Sequence, residues 1–175
     1  MRIDIKLAVV LIILVSVFSL LTFFGISRKM IIIGGVGMGL GDDLKLMMVV
    51  EDMEIQMEEI ISFNLHLANL GEKNLTQWMG LPIFDLYIYD TDGKLLTRWS
   101  DGRAFIEIVQ HFELSSGAEY SERIEWEIRV VNPDTLKPLP LKPGKYKISG
   151  IWLGEPKIET SMIDLRVIRR YRILS

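Results

Sequence analysis

The chain contains no cysteine. That excludes disulfide bridges, zinc–thiolate centres, iron–sulfur clusters and thiol nucleophiles together. Histidine is nearly as scarce, with only His66 and His111 present. Both lie in strand-like runs with no serine or carboxylate relay beside them, so a catalytic pair is not expected. Only three glutamines and four asparagines occur in 175 residues, while glutamate, lysine, arginine and isoleucine are common. This composition points to a thermophile as the expected source.

Excess positive charge is also missing. From Asp42 to Asp164 there are 22 acids against 12 bases, and only the last stretch, with Arg166, Arg169, Arg170 and Arg172, is basic. An acidic domain repels phosphate backbones, so no nucleic-acid partner is expected. Residues 169–175 read as a basic, solvated tail.

Charge is absent altogether from Leu7 to Ser27, LAVVLIILVSVFSLLTFFGIS. At 1.5 Å per residue a helix of this length spans roughly 30 Å, the thickness of a bilayer's hydrocarbon core. A buried core helix of this length would carry a polar face. A cleaved signal peptide has a shorter apolar region and ends in small residues, which Phe23-Phe24-Gly25-Ile26-Ser27 does not supply. The expectation is an uncleaved single-pass anchor, with residues 1–6 as a short tail and residues 7–27 in contact with membrane lipid. Arg2, Lys6 and the α-amino group outweigh Arg28 and Lys29. The positive-inside rule then places the globular part outside the cytoplasm.

Residues 28–43 hold glycines at 34, 35, 37, 39 and 41. Neither a complete G-x-G-x-x-G nor a P-loop lysine is present, so phosphate binding is not expected and the segment reads as a membrane-proximal spacer.

From residue 44 to 168 the pattern changes to period 2. Phe63, Leu65 and Leu67 alternate with Asn64 and His66, and Ile124, Trp126, Ile128 and Val130 alternate with Glu125, Glu127 and Arg129. Phe84, Leu86 and Ile88 alternate likewise. Such alternation puts one face on a core and the other in water. Turn signals interrupt the runs at Asn69-Leu70-Gly71, Asp90-Thr91-Asp92-Gly93, Ser100-Asp101-Gly102, Ser115-Ser116-Gly117 and Lys142-Pro143-Gly144. Asp43 to Ile61 has an ambiguous period and reads as one or two strands. The expected fold class is all-β: an immunoglobulin-like antiparallel β-sandwich of about seven to nine strands, preceded by one N-terminal transmembrane helix.

One stretch has a more specific look. Thr97-Arg98-Trp99-Ser100-Asp101-Gly102-Arg103-Ala104-Phe105 is followed by Val109-Gln110, by Phe112-Glu113-Leu114-Ser115-Ser116-Gly117, by a strand ending near Trp126, and by Leu141 to Gly150 with Lys142-Pro143-Gly144 at its turn. Upstream, Phe63 to Asn69 supplies an apolar strand leading into Asn-x-Gly. In order and spacing these elements resemble the BsuPI family, known as intracellular proteinase inhibitors, over about residues 61–153. The resemblance implies an immunoglobulin-like sandwich and a role in binding a proteinase. It supplies no inhibitory residue for a position here, and the family's cytoplasmic name departs from the expected anchor.

Candidate sites are few. Asp90, Asp92 and Gly93 lack the glycine and glutamate spacing of an EF-hand and read as a hairpin turn, so no metal or other cofactor is expected. Trp78, Trp99, Trp126 and Trp152 are expected to be buried, since each removes about 150–250 Å² from water. Trp99 is the one to watch, and with Asp101 and Arg103 it forms the candidate protein-binding turn. The competing structural reading puts Trp99 in the core and has Arg103 close the turn through Asp101. Asn74-Leu75-Thr76 is a glycosylation sequon. With no catalytic constellation, the chain reads as a cell-surface binding module for a proteinase or another envelope protein. The alternative is a structural component of the envelope.

Overall fold

The computed structural model describes residues 35–38, 43–131, 135 and 137–169. The expected anchor at Leu7 to Ser27, as well as Arg170 and Arg172, lies outside them. Among the described residues no helix is long and apolar enough to cross a membrane.

The described elements are all strands: β1 (Gly35–Met38), β2 (Leu44–Val50), β3 (Glu54–Gln56), β4 (Ile60–Asn69), β5 (Leu75–Met79), β6 (Phe84–Tyr89), β7 (Leu95–Arg98), β8 (Gln110–Leu114), β9 (Glu119–Glu127), β10 (Arg129–Val131), β11 (Pro138–Pro140), β12 (Gly144–Trp152), β13 (Ile158–Glu159) and β14 (Ile163–Ile168). These fourteen exceed the expected seven to nine. The surplus comes from short edge pairings such as β10–β11 and β13, which are too brief to leave a periodic signature.

Two larger sheets form the body. One has the order β1-β2-β4-β9 and is antiparallel throughout. The other runs β3-β14-β12-β6-β7, with β13 paired to β12. It is antiparallel except that β3 joins β14 in parallel, a departure from the expected pattern. Two-stranded ribbons, β5–β8 and β10–β11, complete the chain.

The period-2 runs become the facing surfaces. Leu46, Met48, Phe63, Leu65, Leu67, Ile124 and Trp126 from the first sheet share one core with Phe84, Leu86, Ile88, Ile148, Trp152 and Leu165 from the second. The layers meet closely at Gly150, where a Cβ would stand 2.4 Å from Leu65 Cδ2 and 3.4 Å from Met48 Cβ. A side chain there would push Leu65 out of its place. At one end of the core, Trp152 packs on Phe84 and Phe112 with ring centroids 5.6 and 5.0 Å away, and Tyr120 lies edge-on to Phe112 at 5.3 Å. Phe112 belongs to β8, so this aromatic group fastens the β5–β8 ribbon to the sandwich.

The spacer reading of residues 28–43 needs correction at its centre. Gly35–Met38 pairs with β2 as an edge strand. Gly37 passes so close to β13 that a Cβ would stand 2.0 Å from the Glu159 carbonyl oxygen. Here glycine serves close backbone approach, which composition alone does not distinguish from flexibility.

Asn69, at the end of β4, is buried at 2% exposure. Its Nδ2 donates to the Lys73 and Leu114 carbonyls, both at 2.9 Å, and its Oδ1 accepts from Gly71 N–H at 3.1 Å. One side chain therefore closes the Asn-x-Gly turn and ties it to β8. Asn69→Ala is expected to cost about 2–3 kcal/mol, because it leaves buried polar groups unpaired. A denaturation midpoint equal to that of the parent would contradict this role.

Candidate functional site

The turn after β7 is built on Asp85, a β6 residue at 2% exposure. Its carboxyl accepts from Ser100 Oγ at 2.6 Å, Ser100 N–H at 3.1 Å and Leu86 N–H at 2.9 Å. Trp99 N–H donates to the Leu86 carbonyl at 2.9 Å, so the chain leaves β7 pinned to β6 at two successive residues. Asp101 Oδ2 then accepts from Arg98 N–H at 2.8 Å, and Gly102 takes φ 73°, a left-handed value that favours glycine.

The three predicted turn residues do come together, but not in the predicted pairs. Arg103 closes the turn on Trp99 rather than on Asp101. Its Nε donates to the Trp99 carbonyl at 2.8 Å, and its guanidinium lies 4.6 Å from the indole centroid. Phe105 packs on the same indole, 5.6 Å between centroids. Trp99 is half-buried and rests against the main core. Asp101 is spent on the turn itself. The reason is geometric: Gly102 directs Arg103 back over the ring instead of across to the carboxyl.

Beyond this clasp lies a feature the sequence reading missed. Residues 103–109 belong to neither helix nor strand. Ile106, Ile108 and Val109 are 68%, 53% and 65% exposed. The Ile108 N–H donates to the Ile106 carbonyl at 2.8 Å, a three-residue turn that puts Glu107 at its apex. The segment ends at Gln110, which pairs with Met79 in the β5–β8 ribbon.

Trp78, one register step along that ribbon, is 71% exposed, and its indole meets the His111 ring edge-on at 5.1 Å. This corrects the expectation that all four tryptophans are buried, although Trp126 and Trp152 are. The signal was legible: period 2 puts Trp78 on the face of exposed Thr76 and Asn74, and Met79 on the core face. His66 contacts Glu119 at 2.5 Å instead, so the two histidines serve different strands.

The remaining candidates have local explanations. Asn74 is exposed, but its Oδ1 accepts from Ser116 N–H at 3.1 Å and its Nδ2 donates to Glu113 at 3.3 Å. Asp90 Oδ1 accepts from Asp92 and Lys94 N–H groups, closing the hairpin turn at Gly93. Among the described residues no group of three or more acidic or histidine side chains is arranged to hold a metal ion.

On the outer face of the second sheet, Tyr89 donates to Glu159 Oε1 at 2.8 Å, and Ser149 Oγ donates to the same oxygen at 2.6 Å. Burial, reinforced by Glu159, pushes the Tyr89 hydroxyl up from 10.0 to about 12.

These residues define an all-β, sandwich-like domain that carries one clasped turn and, next to it, an exposed apolar ridge. Residues 48–157, well over half of the chain, match the family model BsuPI, intracellular proteinase inhibitor, and the chain belongs to that family. No curated protein matches the chain. Among solved structures, similarity extends to a β-glucosidase from Listeria innocua (TM-score 0.47, 12% identity, 74% of this chain and 16% of that one). It also extends to a β-glucosidase from Erythrobacter marinus (TM-score 0.43, 16% identity, 69% and 15%). A third is a CARDB domain from Pyrococcus furiosus in complex with di-metal ions (TM-score 0.39, 17% identity, 72% and 88%). The chain thus corresponds to about a sixth of the length of the glucosidases.

Two measurements test the site. Trp99→Ala is expected to cost about 3 kcal/mol, the low end for a large aromatic because the ring is only half-buried. A variant as heat-stable as the parent would show that the clasp does not need the indole. For Tyr89, the folded state holds its proton more tightly than the unfolded chain. Its contribution to stability is therefore complete below pH 10 and lost as pH rises through about 12. The denaturation midpoint should fall across that window, and Tyr89→Phe should flatten the fall. An equally steep fall in the variant would assign the effect to other groups.

Proposed function

We propose that this chain is a membrane-anchored, extracytoplasmic binding module that captures a proteinase through the loops at one edge of an immunoglobulin-like sandwich. The observation that carries the reading is the ridge of Ile106, Ile108 and Val109, exposed in a chain that belongs to a proteinase-inhibitor family. Scattered single apolar residues on a surface need no explanation, but neighbouring ones on a loop held by a rigid sheet are typical of recognition. The anchor part of the proposal rests on the uncharged run from Leu7 to Ser27 and on the basic residues before it.

The full-length chain, solubilised in mild detergent, is to be titrated against subtilisin, papain and thermolysin, which represent serine, cysteine and metal-dependent proteinases. Stoichiometric inhibition of at least one is expected. Failure to inhibit any of them overturns the proteinase reading. The same chain should sediment with membranes at full mass, and recovery of a soluble form beginning after Ser27 overturns the anchor.

A further inference from the structure

Residues 103–109 combine three properties that do not normally occur together. The segment is rich in branched apolar side chains, it is exposed over most of its length, and its ends are fixed. At the start, Arg103 is bonded to the Trp99 carbonyl and stacked on its ring, and Phe105 packs beside it. At the end, Gln110 enters the β5–β8 ladder opposite Met79. Between those points the chain turns tightly at Glu107, through the bond from Ile108 N–H to the Ile106 carbonyl, and joins no sheet. None of these residues has a positive φ.

We infer that Ile106-Glu107-Ile108 is the segment that enters the catalytic cleft of the proteinase, as a projecting turn, with Ile106 and Ile108 in apolar subsites on either side of the apex. The inference rests on the proteinase-binding function proposed above and assigns its contact residues. The turn's own bond occupies Ile108 N–H and the Ile106 carbonyl, so contact falls to the two exposed side chains, and the pockets that receive them provide selectivity. Because the Trp99 clasp and the β8 ladder already order both ends, little conformational entropy is lost on docking. A pair of exposed isoleucines flanking a turn suits a concave partner with aliphatic pockets. A lipid surface fits worse, because the apex would carry the Glu107 carboxylate toward hydrocarbon. Trp78, exposed on the adjoining ribbon, extends the apolar contact beyond the cleft.

The test uses the full-length chain and whichever of subtilisin, papain and thermolysin it inhibits. Inhibition is expected to be competitive with a peptide substrate. The double variant Ile106→Asp/Ile108→Asp is expected to raise the inhibition constant by about 30-fold or more, the loss typical of at least one hot-spot side chain. Its melting temperature should be unchanged, because both side chains are exposed. Ile106→Ala/Ile108→Ala, which adds no charge, should weaken inhibition in the same direction. Glu125→Ala, on the exposed face of β9, should leave inhibition intact. A parent that inhibits while both double variants inhibit equally well overturns this assignment and leaves the proteinase function standing. A parent that inhibits none of the three overturns the function and the assignment with it. Self-association abolished by the double variants, with inhibition unaffected, would show that the ridge is a contact between copies and would equally overturn the assignment.

Discussion

A carboxyl group taken almost wholly out of water must find hydrogen-bond donors, and at Asp85 that requirement organises the turn after β7 and the segment beyond it. Its donors are the backbone and hydroxyl of Ser100 together with the backbone of Leu86. Meeting them fixes Trp99 against β6, and Trp99 in turn receives Arg103 and Phe105. The exposed segment that follows therefore leaves the sandwich from a defined point. Removing the carboxyl would take away both Ser100 bonds and leave Trp99 held to β6 by its own N–H alone.

The second constraint is the closeness of the two layers. Gly150 brings β12 directly onto Leu65 and Met48, and the Trp152, Phe84, Phe112 and Tyr120 rings close the space beside it. Phe112 links this packing to the surface, since it points inward from the same short strand whose His111 faces out against Trp78. One two-stranded ribbon is thus both part of the core and the shoulder of the apolar ridge. A rigid core beneath an exposed loop is the arrangement in which loop side chains can be presented without loss of order.

Much of the sandwich was legible because burial imposes alternation. The runs Phe63-Leu65-Leu67, Phe84-Leu86-Ile88 and Ile124-Trp126 take the buried positions that period 2 assigns them, but in β6 the alternate residues Asp85, Tyr87 and Tyr89, expected to face water, are buried as well. The turns at Asp90 to Gly93, Ser100 to Gly102 and Ser115 to Gly117 all contain a glycine with positive φ. Asp43 to Ile61, ambiguous in period, resolves into β2, β3 and the start of β4. The strand count was not legible, since two- and three-residue ladders depend on what lies beside them.

The amino-acid sequence by itself determined the all-β class, the main apolar faces and the turn positions, because alternation and turn chemistry are local properties, and the order of its motifs gave the resemblance to a proteinase-inhibitor family. Only the tertiary structure decided which apolar residues stay outside. Ile106-Glu107-Ile108 alternates like any strand, yet finds no partner strand and remains exposed. Gly35–Met38 reads like a linker, yet pairs with β2 because Gly37 has no Cβ to strike Glu159. Arg103 faces Trp99 rather than Asp101 because Gly102 turns the chain between them. In each case the outcome depends on a neighbour distant in sequence or on the direction of the backbone, neither of which a local pattern contains.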